Sequence, residues 1–552
     1  MRQQTILIEI TGMTCDHCAT GIKKLIGAKD GVTDANVYYQ SGKGEFTFDA
    51  DKISKDDIVN VINNTKNYTV KSVSENGNNG ASGNHFDLII IGGGSAAFSA
   101  AIKAESLGLK TLMVNGGLPF GGSCVNVGCV PSKNLIRAGE TAYHASHSNF
   151  EGITPKGVDI DFSKIIQNKK KLVATLQQKK YLDVVSDFHS LTMISGWAEF
   201  LDGKTIVVNS KEKYTALKFL IATGASTNVP NIEGLNEIGY LTNVTLFDLE
   251  ENPQSITIMG AGYIGLEIAM AYNRLGVKVR IIEFTDRVLR TQTPDISEVL
   301  ETQMRKEGIE ILPNFRVVKF EKKNNETIIH CKCPDGSTTQ IIEKGKIVVA
   351  SGSKPNTQKL GLQNIGLELT KSSHINVNSK METNLANIYA AGDVCNTPAF
   401  VYTAAFEGKI SIENAFNDAN NQTDYTSLPW VVFTDPQVAG AGIDEAEAEA
   451  QNLSFEVSKI ELKDVPRAIA ANDTRGFIKL IRNTQTDKLI GARVVAPEGG
   501  ELIQQLSMAI KYGITVKELA ESFYPYLTLG EGIKLAAITF GKDVSKLSCC
   551  AS

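Results

Sequence analysis

Gly121-Gly122-Ser123-Cys124-Val125-Asn126-Val127-Gly128-Cys129-Val130-Pro131-Ser132-Lys133 decides how the rest of this chain is read. Cys124 and Cys129 stand with four residues between them, about thirty positions after the glycine cluster Gly92-Gly93-Gly94. The apolar run after Cys124, leading to Ser132 and Lys133, predicts the start of a helix. A thiol at a helix N-terminus beside a lysine ionises below the ~8.5 of free cysteine. Set against a flavin, such a pair as a disulfide accepts two electrons and becomes a dithiol. Zinc is the alternative for paired cysteines, but zinc pairs usually come as CxxC with a second pair nearby.

A chain of 552 residues is too long for one core, so several domains are expected. Its 42% hydrophobic content is that of a soluble globular protein. A formal net charge of −5 and a pI of about 5.9 leave no basic footprint for nucleic acid. The opening residues Met1-Arg2-Gln3-Gln4-Thr5 lack the apolar stretch of a signal peptide, and no run of about 18 apolar residues is available to span a membrane. The expected location is cytoplasmic. Eight of the nine cysteines fall in close pairs, Cys15/Cys18, Cys124/Cys129, Cys331/Cys333 and Cys549/Cys550. That usage predicts metal or redox work rather than a secreted disulfide framework.

Along the chain, Ile6, Ile8 and Ile10 alternate as in a half-buried strand, while Ala19, Ile22, Leu25 and Ile26 follow helical spacing. Strands at Val37–Tyr39 and Phe46–Phe48, a helix capped by Ser54 and a strand at Tyr68–Val70 complete the order βαββαβ, the ferredoxin-like split arrangement. Residues 74–85 have almost nothing to bury and read as a tether reaching roughly 20 Å. Phe86–Ile91 then forms a buried strand ending at Gly92, Gly94 and Ala97 before an alanine-rich helix. A second copy, Ile256–Met259 followed by Gly260, Gly262 and Gly265, begins roughly 170 residues later. Two strand–glycine–helix units predict two dinucleotide sites, each seating a pyrophosphate on a helix N-terminus. A third element, ending at Gly392-Asp393, offers a carboxylate to a sugar-like chain.

Past about residue 425 the glycine fingerprints stop, and strands at Gly476–Ile481 and Leu489–Val495 with helices at Leu502–Ile510 and Val516–Ser522 read as an α+β dimerisation domain. The expected fold class is α/β: two Rossmann-like dinucleotide-binding domains and the dimerisation domain, preceded by the small ferredoxin-like domain. The expected boundaries are 1–73 for the small domain, 74–85 for the tether, 86–253 and 351–425 for the FAD-binding domain, 254–350 for the NAD(P)-binding domain, and 426–552 for the last.

On these motifs, residues 86–545 closely resemble the pyridine nucleotide–disulfide oxidoreductases, the family of glutathione reductase and lipoamide dehydrogenase. The resemblance implies a homodimer using FAD and a nicotinamide dinucleotide. It implies Cys129 as the thiol against the flavin, Cys124 as the outer, exchanging thiol, and a Lys133–Glu267 pair near the flavin ring. Flavin contacts from Gly92, Gly94, Ala97, Gly121, Gly122, Ser123, Lys133, Thr223, Gly224, Gly392 and Asp393 go with it. Asn115 departs from the glutamate usual at the ribose of that site, although an amide can still donate and accept. At the second site, Glu283 favours a ribose diol and NADH, whereas Arg287 and Arg290 can meet the 2′-phosphate of NADPH, and the choice stays open.

Disulfide reductases of this family carry His-Pro-Thr-x-x-Glu near the C-terminus, where this chain has Tyr526-Leu527-Thr528-Leu529-Gly530-Glu531. A phenol with a pKa of about 10 is a poor proton shuttle near neutrality. A disulfide substrate needs that proton, and a thiophilic metal ion does not. Vicinal Cys549 and Cys550 at the terminus, and Gly12-Met13-Thr14-Cys15-Asp16-His17-Cys18 at the first loop of the small domain, agree with a soft metal. Together these features resemble the mercury(II)-reducing branch of the family, with a heavy-metal-associated domain in front. That resemblance implies that Cys549 and Cys550 of the partner subunit's tail take Hg(II) from small-molecule thiols and hand it to Cys124 and Cys129. It also implies that Tyr181 and Tyr526 line the inner site, that Cys15 and Cys18 bind metal, and that NADPH, or NADH, supplies the electrons. Tyr181, in Lys179-Lys180-Tyr181, reads from spacing alone as a helix-surface aromatic. Cys331 and Cys333 are expected on one face of a strand, packing rather than ligating, and Cys395 as a buried small residue.

Overall fold

The computed structural model describes residues 3–13, 16–39, 42–65, 67–75 and 84–542. Cys15, Cys549 and Cys550 therefore lie outside the described residues, as does 76–83 of the expected tether. By contacts the chain divides into two units, one made of 1–126, 176–226 and 354–423, the other of 127–175, 227–353 and 424–552.

In the first unit, alternation drives Ile6, Ile8 and Ile10 of the strand Gln3–Thr11 into a core with Ile22, Ile26, Phe46, Phe48, Ile58 and Ile62. The four-stranded sheet runs Val32–Tyr38, Lys43–Asp49, Gln3–Thr11, Thr69–Glu75. Ser54 and Asp57 form a reciprocal capping box at the head of the helix Lys55–Asn63. The last strand runs on through Glu75, and the next begins at His85, so both ends of the expected 74–85 tether are strand. The reason lies in the pairing: Leu7 and Ile6 would leave backbone groups unmatched without Ser74 and Glu75 opposite them.

The same unit holds a seven-stranded sheet. Its strands Leu191–Ser195, Thr111–Asn115, His85–Ile91, Glu212–Ile221 and Ile388–Ala390 are parallel neighbours in that order. Burial on both faces explains the near-continuous apolar sequences of Thr111–Asn115, residues 88–91 and Ile388–Ala390, whereas Leu191–Ser195 is only partly buried. Register sets their C-terminal ends on one edge, because Ile91 pairs with both Val114 and Ile221, and Ile221 with Ala390. Gly92, Asn115, Thr223 and Gly392 follow those ends. The helices Ser95–Ser106 and Val401–Asn417 pack so closely that an added Cβ at Gly408 would lie 2.2 Å from the Ala96 carbonyl oxygen.

In the second unit, Glu310–Leu312, Lys278–Ile282, Ser255–Met259 and Lys346–Val349 form a parallel sheet. An antiparallel meander of Arg316–Lys323, Glu326–Lys332 and Thr338–Glu343 stands with it. A five-stranded antiparallel sheet, ordered Trp430–Val432, Gln437–Gly442, Leu489–Ala496, Phe477–Asn483, Phe455–Glu461, builds the C-terminal domain around its own core. Cys331 is fully buried on the meander's central strand, but Cys333 lies one residue past the strand end, in a turn where its amide donates to the Ser337 carbonyl. The expected shared strand face is thus replaced by strand and turn. Burial pushes the Cys331 thiol up to about 11 and the buried Cys395 thiol well above the ordinary range. Among the described residues no helix is long and apolar enough to cross a membrane.

Gly408→Ala tests the helix contact. The added methyl has no room against a backbone carbonyl, so the helices must separate, at about 1–3 kcal/mol of stability. Urea unfolding of the variant beside the wild type checks this.

Candidate active site

The helix that the sequence starts in the run after Cys124 comes as two helices. Gly122–Val127 is a six-residue helix carrying Cys124, and the chain breaks at Gly128, with φ −125° and ψ −110°. Cys129 then opens the 18-residue helix Cys129–Ser146. The glycine between them frees the backbone to leave helical geometry. Of the two thiols it is therefore Cys129 that heads a long helix, where the unpaired N–H groups and the dipole favour a thiolate. Both are half-buried thiols.

The approach to this segment is fixed through backbone. The Gly121 amide donates to the Gly93 carbonyl at 2.7 Å. An added Cβ at Gly122, where φ is +68°, would sit 2.5 Å from the Gly94 Cα. The Asn126 amide nitrogen donates to the carbonyls of Pro119 at 3.0 Å and Gly122 at 2.8 Å. Gln177 donates to the Phe120 carbonyl at 2.8 Å. The segment is thus pressed directly onto the first glycine turn.

That turn fits a flavin dinucleotide. Gly94 heads the helix Ser95–Ser106 with no side-chain cap among the described residues, leaving its first N–H groups for a pyrophosphate. Asp393 is partly buried at the edge, and its desolvation raises the carboxyl pKa. Gly392 is held by its amide to the Glu407 carboxylate at 2.7 Å. Thr223 Oγ1 donates to the Asn356 carbonyl at 2.9 Å, beside Gly224 at φ +65°. Asn115 spends one amide hydrogen on the Leu118 carbonyl at 2.8 Å, which leaves its second amide hydrogen and its oxygen.

Tyr181 is half-buried rather than a surface aromatic. It sits in a π-turn, Gln178–Leu182, its hydroxyl 3.4 Å from Ser95 Oγ and its ring edge-on to Phe98 at 5.0 Å. The Gly121 backbone lies against the same ring, since an added Cβ there would be 3.5 Å from it. The π-turn rotates this face inward, and a 3.6-residue period cannot anticipate that.

In the second unit, Lys133 Nζ meets Glu267 Oε2 at 2.7 Å, although 134 residues separate them in sequence. The other carboxylate oxygen accepts from the Phe433 amide at 3.0 Å, and the Phe433 ring lies 4.4 Å from the Lys133 nitrogen. Nothing local in the sequence marks Phe433 for this part. At the second glycine turn Gly260 takes φ +109°, Gly265 approaches the Gly260 carbonyl, and the space around Gly262 is open for a pyrophosphate. Glu283 stands beside it, accepting from the Ala261 amide at 2.6 Å. Arg287 turns onto its own loop, donating to the Gln292 carbonyl at 3.1 Å. Tyr526 is 54% exposed in the loop before the helix Glu531–Ile538, whose Glu531 carboxylate accepts from the Leu527 amide at 3.2 Å. Ser123 is exposed, and Cys18 is half-buried near the head of the helix Asp16–Gly27.

Two nucleotide turns, a dithiol segment packed on the first, and a lysine–glutamate pair define a flavin- and nicotinamide-dependent oxidoreductase. The chain belongs to the pyridine nucleotide-disulphide oxidoreductase family, whose pattern matches residues 86–408, with the family's dimerisation domain at 428–537 and a heavy-metal-associated domain at 7–69. It is 38% identical over 552 residues to a mercuric reductase of Staphylococcus aureus, covering 100% of both chains. It is also 38% identical over 548 residues to a mercuric reductase of Lysinibacillus sphaericus, covering 99% of both. Among solved structures it is similar to the HOCl-induced flavoprotein disulfide reductase RclA from Escherichia coli, with a TM-score of 0.73 and 26% identity over 83% of this chain and 100% of that one.

Glu267→Ala strips a partner from both the Lys133 ammonium and the Phe433 amide. Lys133 is partly solvated, so the expected loss is about 2 kcal/mol, read by urea unfolding, with Glu267→Gln retaining part of it through the amide contact.

Proposed function

We propose that this chain is a mercuric reductase that uses FAD and a reduced nicotinamide dinucleotide to convert thiol-bound Hg(II) to Hg(0). The observation that carries the reading is the half-buried Cys124/Cys129 pair, with Cys129 heading a long helix and Gly121 and Gly122 pressed on the first glycine turn. Full-length likeness to mercuric reductases and a phenol at Tyr526 in place of a proton-shuttling imidazole support the same substrate.

The flavin, when bound, relays two electrons from the nicotinamide to the metal. Overall NAD(P)H and Hg(II) give NAD(P)+, a proton and Hg(0). The work of the chain's own residues is ligand exchange and charge placement. Cys549 and Cys550 take Hg(II) from small-molecule thiols, each step forming one Hg–S bond and breaking another, with the proton passing to the departing thiolate. Cys124 and Cys129 receive the ion in turn, with Tyr181 and Tyr526 beside them. A linear two-sulfur geometry suits this cation. Lys133, oriented by Glu267, would supply positive charge to a bound flavin. Cys15 and Cys18 gather metal on the small domain. The working form is a cytoplasmic homodimer in which each tail serves the partner subunit. The donor is NADPH on the family resemblance and NADH on the character of Glu283.

Anaerobic two-electron reduction should produce a long-wavelength thiolate-to-flavin charge-transfer band, and Cys129→Ala should abolish both the band and Hg(II) turnover. A Cys129→Ala enzyme with normal turnover sinks the assignment. Nucleotide oxidation stimulated by small disulfides but not by Hg(II)–thiol complexes would make the enzyme a disulfide reductase instead.

The tail yields a separate expectation. Replacing Cys549 and Cys550 with alanine should cut turnover of a bulky dithiol–Hg(II) complex at least tenfold, a change of about 1.4 kcal/mol or more in barrier. Turnover of the small bromide complex should fall far less. Equal loss for both complexes refutes the relay.

A further inference from the structure

We infer that the nicotinamide site selects NADH over NADPH, with Glu283 reading the free 2′-hydroxyl of the adenosine ribose and Asp286 withholding Arg287 and Arg290 from a 2′-phosphate. This rests on the reading of the second glycine turn as a nicotinamide dinucleotide site.

Strand register makes the acceptor. The Gly260 amide donates to the Ile282 carbonyl at 2.9 Å, which brings the end of Lys278–Ile282 against the turn. Glu283, the next residue, is 6% exposed, and both its oxygens are oriented by the protein. Oε2 accepts from the Ala261 amide at 2.6 Å, and Oε1 from the Thr285 amide and hydroxyl, each at 2.8 Å. A carboxylate has about four acceptor positions, so Glu283 retains capacity for a ligand O–H. A ribose diol supplies such donors. A 2′-phosphate supplies only acceptors and up to two negative charges, set against a fixed carboxylate in a partly desolvated place.

Accommodating that phosphate requires a cation, and the nearby cations are engaged. Arg287 Nη1 pairs with Asp286 Oδ2 at 3.0 Å, and its Nη2 donates to the carbonyls of Gln292 at 3.1 Å and Arg290 at 3.4 Å. Arg290 is exposed, but its Nε pairs with the other Asp286 oxygen at 2.9 Å. One carboxylate thus occupies both guanidinium groups. The residue after Glu283 is Phe284, 73% exposed and uncharged. An uncharged aromatic there adds apolar surface for an adenine but nothing for a phosphate.

Calorimetric titration of the purified holoenzyme with ADP-ribose and with its 2′-phosphorylated counterpart tests this without turnover. ADP-ribose should bind at least tenfold more tightly, and a smaller ratio or the reverse order overturns the inference. Asp286→Asn leaves Glu283 and the glycine turn intact while releasing both arginines. It should improve binding of the 2′-phosphorylated compound at least fivefold and change ADP-ribose less than twofold. No gain overturns the part given to Asp286. Anaerobic flavin bleaching by each reduced nucleotide, with no mercury present, separates the failures. Bleaching by neither refutes the oxidoreductase reading while the titration still decides the preference, and faster bleaching by NADPH refutes the preference alone.

Discussion

Backbone meets backbone at the places that matter in this protein, and a single Cβ would prevent it. An added Cβ at Gly92 would lie 2.1 Å from the Ala222 carbonyl oxygen, and one at Gly260 would lie 2.5 Å from that of Ala350. The same holds where Gly122 touches Gly94. Because the strands are parallel and in register, their ends converge on one edge of each sheet, and only glycine lets the chain turn there and stay close. The helix N-terminus takes its position from that turn in both units, as do Gly121 and Gly122 beside the first turn and Glu283 beside the second.

Much of this was legible in advance because the signals are local. The two strand–glycine–helix units, the capping box at Ser54 and the alternation of Ile6, Ile8 and Ile10 depend on neighbours within a few residues. What the sequence concealed depends on residues far away or on departures from regular periods. Phe433 holds Glu267 through an amide that no pattern identifies. Tyr181 turns inward only because a π-turn shifts its phase. Gly128 splits an apparently continuous helix, and the pairing of Ser74 and Glu75 with the first strand shortens the tether at one end. For Glu267 and for the first strand the deciding partner was a backbone group, which carries no side-chain signature.

Charge is placed before any ligand arrives. Lys133 is held by a carboxylate that is itself held by an amide, and Glu283 is clamped by three donors. Such groups are oriented by the protein's own donors and acceptors, so their preferences belong to the fold. The same holds for the backbone around the dithiol segment, where Gly128 leaves helical geometry and sets Cys129 at the head of an 18-residue helix.

The buried cysteines acquire a meaning from the cargo. A protein that handles a sulfur-seeking cation risks being poisoned by every thiolate it carries. Cys331 and Cys395 are buried, and their surroundings hold them protonated far above neutral pH. A protonated thiol without access is a poor ligand for a soft metal. Burial therefore works as insulation: the apolar core that stabilises the sheets also keeps these two sulfurs out of reach of a soft cation.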